Sequence, residues 1–402
     1  MAYPCLKKRG IPFLAACLAA LFPAFAFGDS PFTLKGFGTV GMARSTNSDA
    51  QFIRDISQPN GVASNWSGII DTLAGLQGNY QYNDATEMIV QAVSHYRYDG
   101  TFSPELTRAM IKYDWSPRLF FRIGRVGTEL LMHSDSRWVG YSYLTVRPNV
   151  DFFGSIPVNY ADGMEANYHV PLAEGVLEGN ILGGVTREYM PDYPLDHSRL
   201  LLSSIGYTKG NWQLRYLYGQ IELERAGDAI APIAAGLQAA GAYSAANSLD
   251  LVGSVDRYNS LAAVYDDGTW QVQASVSSIR HQKVFQNEQS WYFLAGRRYG
   301  DLTPFAGYSS VRSSAKSIPT GIPSASPFAS LNNAVAYVTN FHQQGNTLTL
   351  GARWDFMRDV DLKAQVDFIG GGDGTSNLLY RNIQPGWNGK TTVMSLALDF
   401  VF

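Results

Sequence analysis

Hydrophobic and polar residues alternate with a period of two along most of this chain. In the segment 391–402, apolar side chains occupy the even positions from Met394 to Phe402, while Ser395, Ala397 and Asp399 occupy odd positions. A period of two places one kind of residue on each face of a β-strand. Segments of this kind are expected to begin near Phe32, Gly68, Thr86, Glu105, Arg118, Tyr160, Gly175, Arg199, Asn211, Val255, Thr269, Ser290, Leu302, Gly345, Val360 and Thr391.

The connections between these segments alternate between short and long. Tight turns lie at 83–85, 116–117, 171–174, 210, 267–268, 300–301 and 358–359. Long loops lie at 45–67, 127–159, 225–254, 313–344 and 372–390. Because lipid offers no hydrogen bonds, a sheet in a bilayer must close on itself. The pattern predicts an all-β fold, a transmembrane antiparallel β-barrel of about 16 strands with short periplasmic turns and long extracellular loops.

The N-terminal segment differs from the rest and predicts export. Three basic residues at 7–9 precede an apolar run at 11–27, and Ala24-Phe25-Ala26 matches a cleavage motif. These features predict a signal peptide over residues 1–26, with cleavage as late as residue 28 as the alternative. The apolar run is too short to favour a membrane anchor.

The predicted mature segment, 27–402, reads as a single barrel domain. Its loop 225–254 contains an Ala-rich stretch that predicts a partly helical insertion. Removal of three basic residues changes the net charge from −3 to −6 and removes both cysteines, Cys5 and Cys17. We therefore expect no nucleic-acid partner, no metal site, no cofactor and no thiol chemistry.

One hairpin resembles the penultimate hairpin of the proteobacterial general porins. That family shows a G-x-R-Y-D-F strand, a turn and an L-K-x-Q-Y-D strand; here residues 351–356 read GARWDF, 358–359 form the turn, and 362–367 read LKAQVD. Residues 121–125, FRIGR, resemble the family's strand before its third extracellular loop, and Phe402 resembles its barrel-assembly signal.

The sequence also departs from the family's usual pattern. Trp354 and Val366 stand where the family has tyrosine, and the third loop lacks its P-E-F-G-G element. The barrel class is unaffected by these differences, whereas the pore geometry does not carry over from the resemblance.

The resemblance implies an outer-membrane porin of a Gram-negative bacterium, a passive channel for small hydrophilic solutes and ions rather than an enzyme. It also implies a homotrimer, contact with outer-membrane lipid and lipopolysaccharide, and recognition of the C-terminal strand by the barrel-assembly machinery. The alternatives are a channel selective for a solute class, such as sugars or carboxylates, and an outer-membrane barrel hydrolase. The adjacency of His133, Ser134 and Asp135 is the weak basis for the hydrolase.

The third loop, 127–159, is expected by resemblance to fold into the lumen and narrow it. Its charged residues are Glu129, Asp135, Arg137, Arg147 and Asp151. Strand alternation predicts that basic residues point inward from the wall at Lys35, Arg97, Arg108, Lys112, Arg118, Arg122, Arg353 and Lys363. Opposed charges would set a transverse field across the constriction.

Two expectations concern particular positions. We expect Asp135 and Asp151 to face the basic row of Arg97, Lys112 and Arg122. On the strand near 350, alternation places Leu350 toward lipid and Thr349 toward water. The inward-facing charges balance in number, so their count does not decide between cation and anion preference, which depends on loop placement and on local pKa shifts.

Overall fold

The computed structural model describes residues 30–129, 136–156, 158–188, 193, 195–314, 316–340, 342–372 and 378–402. The predicted signal peptide and the sequence neighbours His133, Ser134 and Asp135 lie outside these residues.

Sixteen antiparallel strands form one closed barrel, as the alternation predicts. Each strand pairs with the next, and β1 pairs with β16 from Phe37–Val401 to Ser45–Val393. The strands are β1 (Phe32–Ser45), β2 (Leu73–Asn83), β3 (Thr86–His95), β4 (Glu105–Ser116), β5 (Leu119–Gly127), β6 (Tyr160–Leu172), β7 (Gly175–Val185), β8 (Arg199–Lys209), β9 (Trp212–Glu222), β10 (Val255–Asp266), β11 (Trp270–Arg280), β12 (Glu288–Arg297), β13 (Leu302–Ser313), β14 (Gln344–Met357), β15 (Val360–Gly370) and β16 (Thr391–Val401).

Short turns and long loops occupy opposite ends of the barrel, which we call the turn end and the loop end. Within the described part of the long loops there are four α-helices: α1 (Val150–Phe153), α2 (Ala231–Ala239), α3 (Tyr243–Leu249) and α4 (Ser330–Thr339). No helix among the described residues is long and apolar enough to cross a membrane.

Three strand boundaries differ from the sequence prediction. The second strand begins at Leu73 rather than near Gly68, because residues 69–71 form a turn. Arg97 lies beyond the end of β3, in the second loop. Arg118 lies in the exposed short turn before β5 rather than on the strand.

The outer face of the barrel is apolar. On β14, Leu348, Leu350 and Trp354 are exposed, whereas Thr349 between them is buried. Exposed aromatic side chains adjoin the short turns at Tyr80, Tyr82, Tyr113, Trp115, Trp212, Trp270, Trp354 and Phe356. An apolar band bordered by aromatic residues is the outer surface that a bilayer requires of a barrel.

The C-terminal residue takes part in closing the barrel. The backbone N–H groups of Gly36 and Phe402 each donate to the carbonyl oxygen of the other, at 2.9 Å. The Phe402 ring occupies the space where a side chain on Gly36 would stand. Glycine at position 36 therefore allows the ring to lie flat against β1.

Candidate functional site: the third loop inside the barrel

The third loop leaves β5 at Gly127 and runs through the interior of the barrel. Trp138 stacks on His95 at the end of β3, with ring centroids 4.2 Å apart. The backbone N–H of Val146 donates to the side chain of Gln365 on β15 at 2.8 Å. The loop thus lies against the inner wall formed by β3, β1 and the strands from β16 back to β12.

Two basic residues of the wall hold the loop by its backbone. Lys363 is fully buried; its Nζ donates to the carbonyl oxygen of Gly140 at 2.7 Å and lies 2.9 Å from a carboxylate oxygen of Asp399. Arg353 donates to the carbonyl oxygens of Tyr141 and Tyr143 at 2.6 and 3.0 Å. Both predicted pore-wall cations therefore lie beneath the loop rather than facing open water.

Gly140 permits this close approach. A Cβ atom at that position would collide with the carboxylate of Asp399 and the hydroxyl of Thr39. Any larger residue would push the loop away from the wall, so that Lys363 would lose its carbonyl acceptor.

Arg147 forms a buried ion cluster between the loop and the wall. Its guanidinium lies 2.6 Å from a carboxylate oxygen of Asp71 and 3.2 Å from one of Asp367, and it donates to Ser395 at 2.5 Å. Burial alone would lower the pKa of Arg147, but the two carboxylates outweigh it and raise the pKa. The cation therefore stays charged, and it connects the loop to β15 and β16.

Asp151 does not face the basic row, contrary to the sequence expectation. It lies in α1 and is buried, and it accepts a hydrogen bond from the Ser309 hydroxyl of β13 at 2.7 Å. Burial raises the pKa of this carboxyl. The side chain attaches the loop to the wall.

Arg137 is also engaged within the loop region. It donates to the carbonyl oxygen of Ile156 at 3.3 Å, and its guanidinium lies over the ring of Trp138. The carboxylate of Asp55 in the first loop lies 4.0 Å away. Arg137 therefore joins the third loop to the first.

Glu129, at the start of the third loop, contacts basic residues of the inner wall, a contact that was expected of Asp135 and Asp151 instead. Its carboxylate lies 3.5 Å from Arg122 on β5 and 2.7 Å from Arg215 on β9. Arg122 also pairs with Glu165 on β6 at 2.9 Å. These four residues, Glu129, Arg122, Arg215 and Glu165, are called the charge cluster below.

Electrostatics keep Glu129 ionised. Burial would raise its pKa, but Arg215 and Arg122 outweigh burial and hold the pKa below its usual value of 4.5. A polar cavity of about 170 Å³ adjoins Glu129 and Arg215 and extends along the inner wall to Asn180 and Thr208. The charge cluster therefore borders water-accessible space on the side of the barrel opposite Lys363.

The remaining predicted wall residues are distributed over the length of the barrel. Arg108 and Lys112 point inward from β4, and Lys112 lies 3.0 Å from Asp114. Lys35 is exposed on the inward face of β1 near the turn end. Arg97 lies 4.0 Å from Glu105, near the loop end. No group of metal-ligating side chains occurs among the described residues.

Strand alternation also places Arg215 and Glu165 on the inner face, but it does not identify the contact of Arg215 with Glu129 or that of Glu165 with Arg122. Strand alternation reveals which face a residue occupies. It does not reveal which residues of distant strands share a level of the barrel, and Glu129 and Arg215 are 86 positions apart.

No protein-family model and no curated protein sequence matches the chain. Solved structures match over nearly its full length. OmpF of Salmonella typhi in complex with daunomycin is 11% identical, with a TM-score of 0.57, covering 92% of this chain and 97% of OmpF. An anion-selective porin from Comamonas acidovorans is 12% identical, with a TM-score of 0.54 and coverages of 92% and 99%.

A third match is the trimer form of in-vitro folded OmpT, an outer membrane protein of Vibrio cholerae. It is 13% identical, with a TM-score of 0.52, and the match covers 93% of this chain and all of that chain. At these identities the likeness concerns the fold alone, and the fold of this chain is that of the outer-membrane porins.

Proposed function

We propose that the protein is an outer-membrane porin, a water-filled channel for the passive diffusion of small hydrophilic solutes and ions. One observation carries the proposal: the third loop is fastened along one inner wall of a sixteen-strand barrel, and the opposite inner wall is polar and charged. Barrels of this size leave an aqueous lumen once side chains are accommodated.

The charge cluster is the candidate constriction. The acid of the loop, Glu129, lies between the wall bases Arg122 and Arg215. Charges of both signs in a confined, partly desolvated passage orient water and polar solutes, and salt screens them less than it does on an open surface. We infer that Glu129 and Arg122 govern selectivity, rather than the predicted Asp151, and that Asp135 remains a candidate from the sequence.

Export, location and partners follow from the sequence and from the family resemblance. We infer cleavage of the signal peptide 1–26, insertion into the outer membrane of a Gram-negative bacterium, and assembly guided by the strand that ends at Phe402. A homotrimer in contact with lipid and lipopolysaccharide is proposed on the same basis, and the matching OmpT chain is described as a trimer form.

A channel selective for one solute class is the second candidate. The interior near the loop end contains a buried apolar cluster that includes Leu200, Leu202, Ile221 and residues of the third loop. A channel for ions and sugars alone has no need of such a surface. The hydrolase alternative has no comparable support.

A liposome-swelling series tests passive diffusion. Liposomes carrying the purified protein should swell in isosmotic arabinose faster than in raffinose, because a narrowed pore slows the larger sugar. Protein-free liposomes and liposomes with heat-unfolded protein are the controls. Equal, background swelling rates in every solute would contradict a diffusion channel.

A further inference from the structure

An apolar cavity lies inside the barrel near the loop end, apart from the charge cluster. Its volume is about 160 Å³, and it lies between the third loop and the strands β8 to β11. Its apolar walls include Ile156, Val158, Leu200, Leu202, Ile221 and Ile279. An apolar cavity of roughly 150 Å³ is large enough to bind benzene. This space therefore has the size and lining for one six-membered ring.

One end of the cavity carries an oriented polar group, His281. Its Nδ1 lies 2.7 Å from the carboxylate of Asp256, which also accepts from the hydroxyl of Tyr193. Because an ionised carboxylate only accepts, Nδ1 carries a proton, and in the neutral imidazole Nε2 is then an acceptor. Among the described residues, Nε2 of His281 has no hydrogen-bond partner.

Aromatic rings and charges around His281 restrict the ligand further. The ring of Phe285 lies 4.8 Å from that of Tyr193 and 5.6 Å from that of His281. Rings at these inclined angles favour edge-to-face packing with another ring. Asp256, Glu288 and Arg381 also line the cavity, so its charged groups are of both signs. An ionised ligand would lose its hydration among the mostly apolar walls, which favours an uncharged ligand.

We propose that this cavity binds a small, uncharged ring compound bearing a hydroxyl group, the chemistry of a phenol. The ring occupies the apolar walls and the hydroxyl donates to Nε2 of His281. If the protein is the proposed channel, the site identifies a class of solute that it takes up. Only this assignment of a solute class rests on the proposed function; the binding itself does not. Binding is measured without current, so that failure of the site and failure of conduction are distinguishable.

The first test measures saturable binding of 4-fluorophenol by ¹⁹F NMR to protein folded in detergent micelles. Line broadening should saturate with the wild type and be absent in empty micelles. Leu202→Trp fills the cavity and should abolish the saturable part. Leu217→Trp is the matched control, because Leu217 is equally buried on the inner face of β9 but does not line the cavity.

The second test isolates the hydrogen bond. His281→Phe keeps a ring and removes the acceptor, and it should weaken 4-fluorophenol binding about threefold to tenfold, the effect of losing one hydrogen bond. Binding of 4-fluoroanisole, which has no donor, should be the same in both proteins. Gel mobility of the unheated barrel verifies folding of each variant, and His281→Phe decides the case if Leu202→Trp does not fold.

Three results would overturn the proposal. They are the absence of saturable broadening with the wild type, binding by folded Leu202→Trp that equals the wild type, and binding of 4-fluorobenzoate as tight as that of 4-fluorophenol.

Discussion

At the scale of single residues, Arg147 connects the third loop to three different parts of the barrel. It is 2% exposed, and its partners Asp71, Asp367 and Ser395 come from a different loop and from two strands. A buried charge that loses its partner is costly because no water replaces the lost interaction. The loop's position therefore depends strongly on this one guanidinium.

Replacing Arg147 should destabilise the folded barrel. Arg147→Met leaves two buried carboxylates without a counter-charge and should lower the free energy of unfolding by about 3–5 kcal/mol. The measurement is urea-induced unfolding in lipid vesicles, followed by tryptophan fluorescence. Arg358→Met is the control, since Arg358 is 94% exposed in a short turn, and it should change little. A loss as small as that of the control would contradict a structural role for the cluster.

Glu129 makes a pH prediction at the same scale. Its pKa is held below 4.5 by the two arginines, so its charge and the stability of its ion pairs are present at neutral pH. They are lost only as pH falls through that lowered pKa. The difference in reversal potential between wild type and Glu129→Gln should therefore persist from pH 7 down to 4.5. A difference that vanished between pH 7 and pH 5.5 would contradict the lowered pKa.

At the scale of elements, the alternation along each strand identified the sixteen strands and their faces. The alternation failed at the ends of strands. It predicts that Arg97 and Arg118 are strand residues, although Arg97 lies in a loop and Arg118 in a turn. Period two describes side-chain direction within a strand. It does not fix where pairing stops, because that depends on the neighbouring strands and on the loop path.

Thr349 shows another limit of the same reasoning. It points inward as predicted, but it is buried and donates to Asp367 at 2.7 Å, so it does not face water. The third loop covers this part of the wall. The strand pattern gives the face of a residue, whereas the contents of the barrel at that height come from a distant segment.

The outward face of β14 gives a prediction about membrane stability. Leu350→Arg places a charge in the apolar band and should cost roughly 2–4 kcal/mol near the bilayer midplane. Thr208→Arg is a better inward control than Thr349→Arg, because Thr208 lines the polar cavity. The stabilities of Leu350→Arg and Thr208→Arg are compared by measuring the refolding yield of each variant in lipid vesicles over a series of urea concentrations. If the two variants were equally stable, the assignment of Leu350 to the lipid-facing side would be contradicted.

The third loop was placed inside the barrel by resemblance, and its attachment points were not predicted. Lys363 and Arg353 were expected to line the pore, yet they donate to loop carbonyl oxygens. A charged side chain on an inward face serves equally well as a pore lining or as an anchor. Only the path of the loop distinguishes a pore-lining residue from an anchor. That path is set by contacts between residues that are more than 200 positions apart in the sequence.

At the scale of the whole molecule, closure accounts for the architecture. β1 pairs with β16, so no strand edge faces lipid. The loop on one inner wall leaves the polar side, formed by β4 to β9, for solutes. The alternation and the pattern of short turns and long loops made this overall form predictable, because both follow from a closed sheet in a bilayer. The expected role of Phe402 came from the family resemblance.

The reversal potential of single channels in a salt gradient tests the central claim that solutes pass the charge cluster. In planar lipid bilayers, Glu129→Gln should shift it toward anion preference and Arg122→Gln toward cation preference. Glu174→Gln removes the same charge as Glu129→Gln at an exposed short turn and should leave it nearly unchanged. Opposite shifts in the two cluster variants are the result the account predicts. Reversal potentials that equal the wild type in both would contradict it.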